Sequence, residues 1–185
     1  MKQFHIQQIP NKTIQPNSIQ FFSCAFPQAS STMVSIERHT QAMDKVRALV
    51  NIRERSISEV KERLKKAEFT DEEINDAIET SLRCNIISDE RFASAYIRGK
   101  VRLGWGRTKI LSHLKEKGIS DEIILLCEND FPSSEDEYLQ ALNILQKRPS
   151  NSNNKFASYV NRLLRKGYSY DLAKRVAKDF IADEV

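Results

Sequence analysis

"GRTKILSHLKEKGISDEIILLCE", Gly106–Glu128, holds the pattern that decides the fold. Ile110 lies four residues before Leu114, and Ile119 follows five after it. Apolar residues four apart share one face of a helix, which marks the first half as helical. Gly118 stands where a left-handed residue closes such a helix. Ser120, followed by two acids, is a start signal for the next one, because its oxygen can accept from an unpaired N–H of the first turn. The stretch reads as helix, tight turn, helix.

Working outward, the same pattern appears in "SISEVKERLKKAEFTDEEINDAI", Ser56–Ile78, and in "NKFASYVNRLLRKGYSYDLAKRVA", Asn154–Ala177. Val60, Ile110 and Tyr159 correspond, as do Leu64, Leu114 and Leu163, and Phe69, Ile119 and Tyr168; the anchor leucines are 50 and 49 residues apart. Gly118 and Gly167 take the turn position, which the first copy gives to Glu68. A fixed period of this length indicates tandem supersecondary units. A further helix is expected ahead of each pair, at about Thr40–Arg53, Ser88–Arg102 and Ser134–Arg148. The fold expected is all-α: about three three-helix modules, residues 38–87, 88–132 and 133–185, in an elongated arrangement. Pro149 and "SNSNN" predict a looser joint in the third module, where the second has a tight "LGWG".

Composition agrees with that class. The chain has 185 residues, 40% hydrophobic and 29% charged, with five glycines and abundant Leu, Ile, Lys, Glu and Arg, which favours helices over a β-sandwich. Residues 1–37 have three of the five prolines, little charge and no sustained period. They read as a disordered or weakly ordered tail, or as a segment ahead of a later natural start, since Met33 and Met43 precede the first good helical pattern. The three cysteines, Cys24, Cys84 and Cys127, form no C-x-x-C pair and have only His5, His39 and His113 for company, which argues against a zinc site and a disulfide framework. No apolar run approaches a membrane span, and "FFSCAF" is too short for a signal core. A cytoplasmic, non-membrane protein is expected.

Net charge is only +4, but its distribution is uneven. Residues 98–117 hold seven basic residues and Glu116; residues 120–137 hold seven acids and no base; residues 155–178 hold seven bases and Asp171. Two readings stand: solvated helix faces, or a positive stripe on successive modules that follows a phosphate backbone. Trp105, between two glycines, either stacks on a partner or packs across an interhelical turn. Phe92 and Tyr96 are spaced for a helix core. There is no Gly-rich phosphate loop, nucleophile elbow, H-E-x-x-H or Ser/His/Asp set, and the acidic runs "TDEE" and "SEDE" sit at helix starts, where capping explains them. Neither an enzyme nor a cofactor is expected.

The stretch "SDERFASAYIRGKVRLGWGRTKILSHLKEKGIS", Ser88–Ser120, resembles the central signature of the bacterial regulatory protein RecX family, approximately D-x-x-R-F-A, Y-I-R, G-x-G-P-x-R-I and L-x-x-K-G-I. Asp89, Arg91, Phe92, Ala93, Tyr96, Ile97, Arg98, Gly104, Gly106, Ile110, Leu114, Lys117, Gly118 and Ile119 carry it, and the likeness extends over about residues 40–183. The resemblance implies tandem three-helix repeats and a regulator that binds the RecA recombinase, enters the groove of the RecA-DNA filament, and inhibits ATP hydrolysis, strand exchange and coprotease activity. DNA contact is then expected to be weak and without strong sequence preference, with no membrane partner; a monomer is expected because an elongated repeat can span sites without pairing. On that reading the contacts to RecA or DNA fall on Arg98, Lys100, Arg102, Trp105, Arg107, Lys109, Lys115 and Lys117, with Arg162, Arg165, Lys166 and Arg175. Arg107 replaces the family's proline and Lys109 its usual arginine, which keeps charge but not a planar fork. Glu68 and Asn85 stand where glycine is common. The alternatives are a stand-alone DNA-binding protein of helix-turn-helix type, which predicts sequence preference on duplex DNA, and an adaptor recruiting a basic protein through the acidic block.

Overall fold

The structure, a computed structural model, describes residues 29–183, with side chains from residue 35 onward. The expectation for residues 1–28 lies outside the described residues. Within them all regular structure is helical, in chain order α1 (Ala29–Val50), α2 (Ile57–Lys65), α3 (Asp71–Arg83), α4 (Asp89–Arg102), α5 (Arg107–Glu116), α6 (Asp121–Leu126), α7 (Ser134–Gln146), α8 (Lys155–Lys166) and α9 (Tyr170–Asp183). A short 3-10 turn, Glu128–Asp130, follows α6.

Local sequence accounts for the boundaries. Ser56, Thr70, Ser88, Ser120, Ser133 and Asn154 each accept a backbone N–H at the start of the helix that follows. At Thr70 the bond is reciprocal, because the Glu73 carboxylate accepts the Thr70 N–H at 2.8 Å. Ser169 Oγ accepts from Leu172 N at 3.3 Å and starts α9. The turns that close helices hold the left-handed residues Glu68, Asn85, Gly104, Gly118 and Gly167, with φ of 60°, 53°, 70°, 77° and 92°. Glu68 and Asn85 thus take the glycine conformation with a Cβ, a strain of order 1 kcal/mol that asparagine tolerates better than glutamate.

Three separate apolar clusters form, one per three-helix unit. In the first, Ala42, Met43 and Val46 of α1 meet Val60 and Leu64 of α2 and Ile74, Ala77 and Ile78 of α3. The second gathers Phe92, Ala93 and Ile97, Ile110 and Leu114, then Ile119, Ile124, Cys127 and Phe131. The third gathers Ala141 and Leu145, Tyr159, Val160 and Leu163, then Tyr168, Leu172, Ala173, Val176, Ala177 and Phe180. Leu64, Leu114 and Leu163 are fully buried. Each is worth about 2–3 kcal/mol of burial, a large share of what so small a core supplies.

Two sequence expectations change in detail. The first helix begins at Ala29, well ahead of Thr40. Its added residues 35–37 are exposed, so they carry no core period to read. The joint after Pro149 is tethered rather than loose: Ser150 is buried, its N–H donates to Tyr159 Oη at 2.9 Å, and its hydroxyl bonds Ser158 Oγ at 2.8 Å.

Neighbouring units meet through their middle helices. The end of α8 meets the start of α5, where Gly106 N–H donates to Lys166 O at 2.9 Å and Thr108 N–H to Gly167 O at 3.1 Å. The end of α5 meets the start of α2 in the same register: a Cβ on Gly118 would lie 3.1 Å from Ser58 Cβ, and Lys117 Nζ lies 2.5 Å from Glu59 Oε1. Each contact sets the carbonyl end of one helix against the N–H end of the next, which their dipoles favour. Ile57 N–H to Asp89 Oδ1 at 2.8 Å and the Arg91–Glu54 ion pair at 3.0 Å also tie the first two units.

Candidate polyanion-binding cleft

The basic strip and the acidic block that follows it belong to one unit, and much of their charge is spent between them. Arg98 pairs with Asp130 at 2.8 Å, Arg107 with Glu128 at 2.6 Å, and Lys115 with Asp121 at 2.9 Å. Arg107 also lies over the Phe131 ring at 4.3 Å. The Arg107 hydrogen bond holds the Glu128 carboxyl below the usual carboxylate range; burial pushes the Asp130 carboxyl up, but hydrogen bonds from Ser94 and Arg98 bring it below that range as well. Lys117 turns back to the first unit, where Glu59 receives it and Arg53, the latter at 3.0 Å. Burial alone would raise the Glu59 carboxyl; these two cations outweigh it and lower it.

The aromatic residue of the strip is also engaged. Trp105 packs against His113, with ring centroids 5.0 Å apart, and the ammonium groups of Lys100 and Lys109 lie 4.5 and 4.3 Å from its ring. Trp105 therefore packs across the α4–α5 turn, against the second core. Arg175 lies apart from the strip, over Tyr138 at 5.1 Å.

The remaining candidates converge. Arg102 at the end of α4 and Arg162, Arg165 and Lys166 in the last turns of α8 line a cleft of about 580 Å³ between the second and third units. Lys147 and Arg148, just beyond α7, complete the ring, and among the described residues no acid lines it. Sequence reasoning missed these two because they lie outside both basic blocks. The available signal was their place just past a helix C-terminus, where cations offset the unpaired carbonyls. Helix-end stabilisation alone would scatter such residues; here three helix ends from two units bring six cations to one concavity. The Arg162 guanidinium donates to Arg148 O, which holds two of the six together. Gln140 and Asn143 of α7 supply uncharged polar groups, and the buried Gln140 Oε1 has no hydrogen-bond partner among the described residues.

The cleft depends on the α8–α5 contact. Gly104 lies in its floor, and Tyr168 Oη reaches Gly104 O at 3.5 Å. Burial, then the nearby Glu137, push the Tyr168 hydroxyl up to about 12, so it stays a donor at neutral pH. A row of guanidinium and ammonium groups with no counter-charge suits a chain of phosphates, each neutralised by displacing a condensed counterion. Among the described residues, no group of His, Cys, Asp or Glu is placed to hold a metal ion, and no helix is long and apolar enough to cross a membrane.

Comparison with known proteins agrees with the signature. A family profile described as RecX, second three-helix domain, matches residues 88–125. The chain is 31% identical over 138 residues to the regulatory protein RecX of Haemophilus influenzae strain ATCC 51907, covering 73% of this chain and 86% of that one. It is 30% identical over 132 residues to the regulatory protein RecX of Clostridium perfringens strain SM101, covering 68% of this chain but only 62% of the relative. Among solved structures, that of RecX from Lactobacillus salivarius superposes with a TM-score of 0.69 at 19% identity, over 81% of this chain and 99% of that one, which shows the shared fold. A second, a crystal structure of regulatory protein RecX, gives 0.70 at 18% identity over 80% of this chain. The chain belongs to the RecX family, regulatory proteins rather than enzymes.

Proposed function

We propose that this chain is an inhibitory regulator of the RecA recombinase, lying along the RecA-DNA filament and limiting ATP hydrolysis, strand exchange and coprotease activity without a catalytic residue of its own. The observation that carries the reading is the cleft between the second and third units, where Arg102, Lys147, Arg148, Arg162, Arg165 and Lys166 gather without an acid. Phosphate contacts of this kind fix position on a nucleic acid without reading its sequence, which fits a partner whose bases are not the target. Units joined in a row bridge successive filament subunits, so one chain hinders a conformational cycle that several subunits must share.

Four residues of the strip, Arg98, Arg107, Lys115 and Lys117, then act mainly by holding the second unit together and against the first. The test is the DNA-dependent ATPase rate of preformed RecA filaments titrated with the chain, with binding to naked single-stranded DNA measured in parallel. Inhibition at concentrations that leave naked DNA unoccupied supports a filament regulator. Inhibition only once the DNA is saturated reduces the effect to competition, and sequence-selective duplex binding would favour a helix-turn-helix protein instead.

A further inference from the structure

The junction between the first and second units carries a different cleft, of about 600 Å³, a size suited to a few side chains. Its floor is the face of α4 bearing Ala95 and Gly99, and its walls include Tyr96, Leu103 and Trp105. Gly99 lies in the interior of α4, where glycine weakens a helix relative to alanine. No close packing requires it: a Cβ placed there would meet nothing within 4 Å. Its φ is not in the left-handed region, so no turn requires it either. The open space in front of Gly99 is thus kept at some cost to the helix. Leu103 at the rim is 62% exposed, a large apolar side chain left in water.

Charge narrows the occupant. Lys100 lies at this cleft over Tyr96 and Trp105, at 5.0 and 4.5 Å, with no carboxylate partner among the described residues. Glu54, the one acid in the lining among the described residues, is occupied by Arg91. The Trp105 ring is already met by Lys100, Lys109 and His113, which leaves it poorly placed to stack on a nucleobase. We propose that this cleft docks a segment of the filament's protein component, one that inserts an apolar side chain over Gly99 and sets a neighbouring carboxylate against Lys100. The proposal rests on the filament reading above and divides the labour within it: the basic cleft holds phosphates and the apolar cleft holds protein.

Gly99→Ala and Gly99→Leu, in the full chain, test this by filling the cleft in steps. Both variants should melt no lower than the wild type and bind naked single-stranded DNA with its affinity. On RecA filaments, Gly99→Ala should lose a fewfold in affinity, and Gly99→Leu tenfold or more. Lys100→Gln should weaken filament binding severalfold. Wild-type filament affinity in Gly99→Leu overturns the docking proposal and leaves the filament reading intact. An equal loss on naked DNA overturns it too, by making the cleft a nucleic-acid site, and unaltered binding by Lys100→Gln overturns the acidic half. A wild type that binds filaments no better than naked DNA sinks the filament reading itself, and this proposal with it.

Discussion

Gly106→Ala should uncouple the third unit from the second. Gly106 has an ordinary backbone conformation, so what it supplies is closeness. An added Cβ would lie 2.4 Å from the carbonyl carbon and oxygen of Gly167 and from the amide nitrogen of Tyr168. Carbon atoms pack best at about 3.5–4.0 Å, so the two helix ends must part by roughly 1 Å. The bonds from Gly106 N to Lys166 O and from Thr108 N to Gly167 O, now 2.9 and 3.1 Å, then exceed bonding range. Their loss costs about 1 kcal/mol each, and some of the freed groups lose water as well, so about 2–4 kcal/mol of coupling should disappear. For a chain of this size that is a fall of roughly 5–15 °C in the affected transition. Calorimetry should show the wild type melting as a coupled array, and the variant splitting off an early transition from the third unit, whose own core is untouched. Gly118→Ala is a milder control. Its added Cβ would meet only the Ser58 side chain, at 3.1 Å, and its main cost is the left-handed φ. A Gly106→Ala protein that melts in one transition within about 1 °C of wild type would refute the direct helix-end contact, since a 1 °C change is well under 1 kcal/mol here.

Three further outcomes are expected. If the six cleft cations each neutralise a phosphate on a single strand, log affinity should fall with log salt at a slope near −4. Arg102→Ala, Arg165→Ala and Lys166→Ala together should halve it, so that a rise from 50 to 200 mM salt costs the wild type about three hundredfold and the variant about twentyfold; an unchanged slope removes these residues from the interface. Glu73, held down to about 2 by the Arg38 guanidinium and the Thr70 N–H, stays ionised in the folded chain below the ordinary carboxylate range. Its stabilising effect is complete above that range and fades as pH falls towards 2, so Glu73→Gln should flatten the acid limb of melting temperature against pH, and an identical limb counts against the pair. Finally, Gly99→Ala should raise stability by about 1 kcal/mol in denaturant titration, because it removes a helix glycine without a clash, and a loss would mean that the α4 face is already packed.

The repeat was legible because it rests on local rules. Val60, Ile110 and Tyr159 four residues ahead of buried leucines, and a left-handed residue at positions 68, 118 and 167, are signals that one turn of helix and one turn of chain suffice to create. Glu68, a poor residue for the conformation, stands at the repeat position of Gly118 and Gly167, and Asn85 stands where glycine is common in the family; both are left-handed. The cleft was not legible in the same way. Arg98 meets Asp130 and Arg107 meets Glu128 across 32 and 21 residues, so which charges of the strip are spent is decided by how α4, α5 and α6 pack, not by the sign of a block. Arg102, Arg165 and Lys166 remained among the candidates, but Lys147 and Arg148 join them only because the ends of α4, α7 and α8 converge. Trp105 offered both a partner-facing and a packing role; His113, Lys100 and Lys109 gather around its ring, and the same ring lines the cleft between the first two units.

Amide hydrogen exchange of the chain on a preformed RecA filament, compared with the free chain and with the chain on naked DNA, would show which helix ends meet phosphate and which meet protein. Exchange should slow at the ends of α4, α7 and α8, around residues 101–104, 147–148 and 162–167. Added protection near Gly99 should appear only on the filament, with little change in α3. Protection confined to α3 or to the acidic stretch 120–137, with the three helix ends exchanging as in the free chain, would contradict the filament reading.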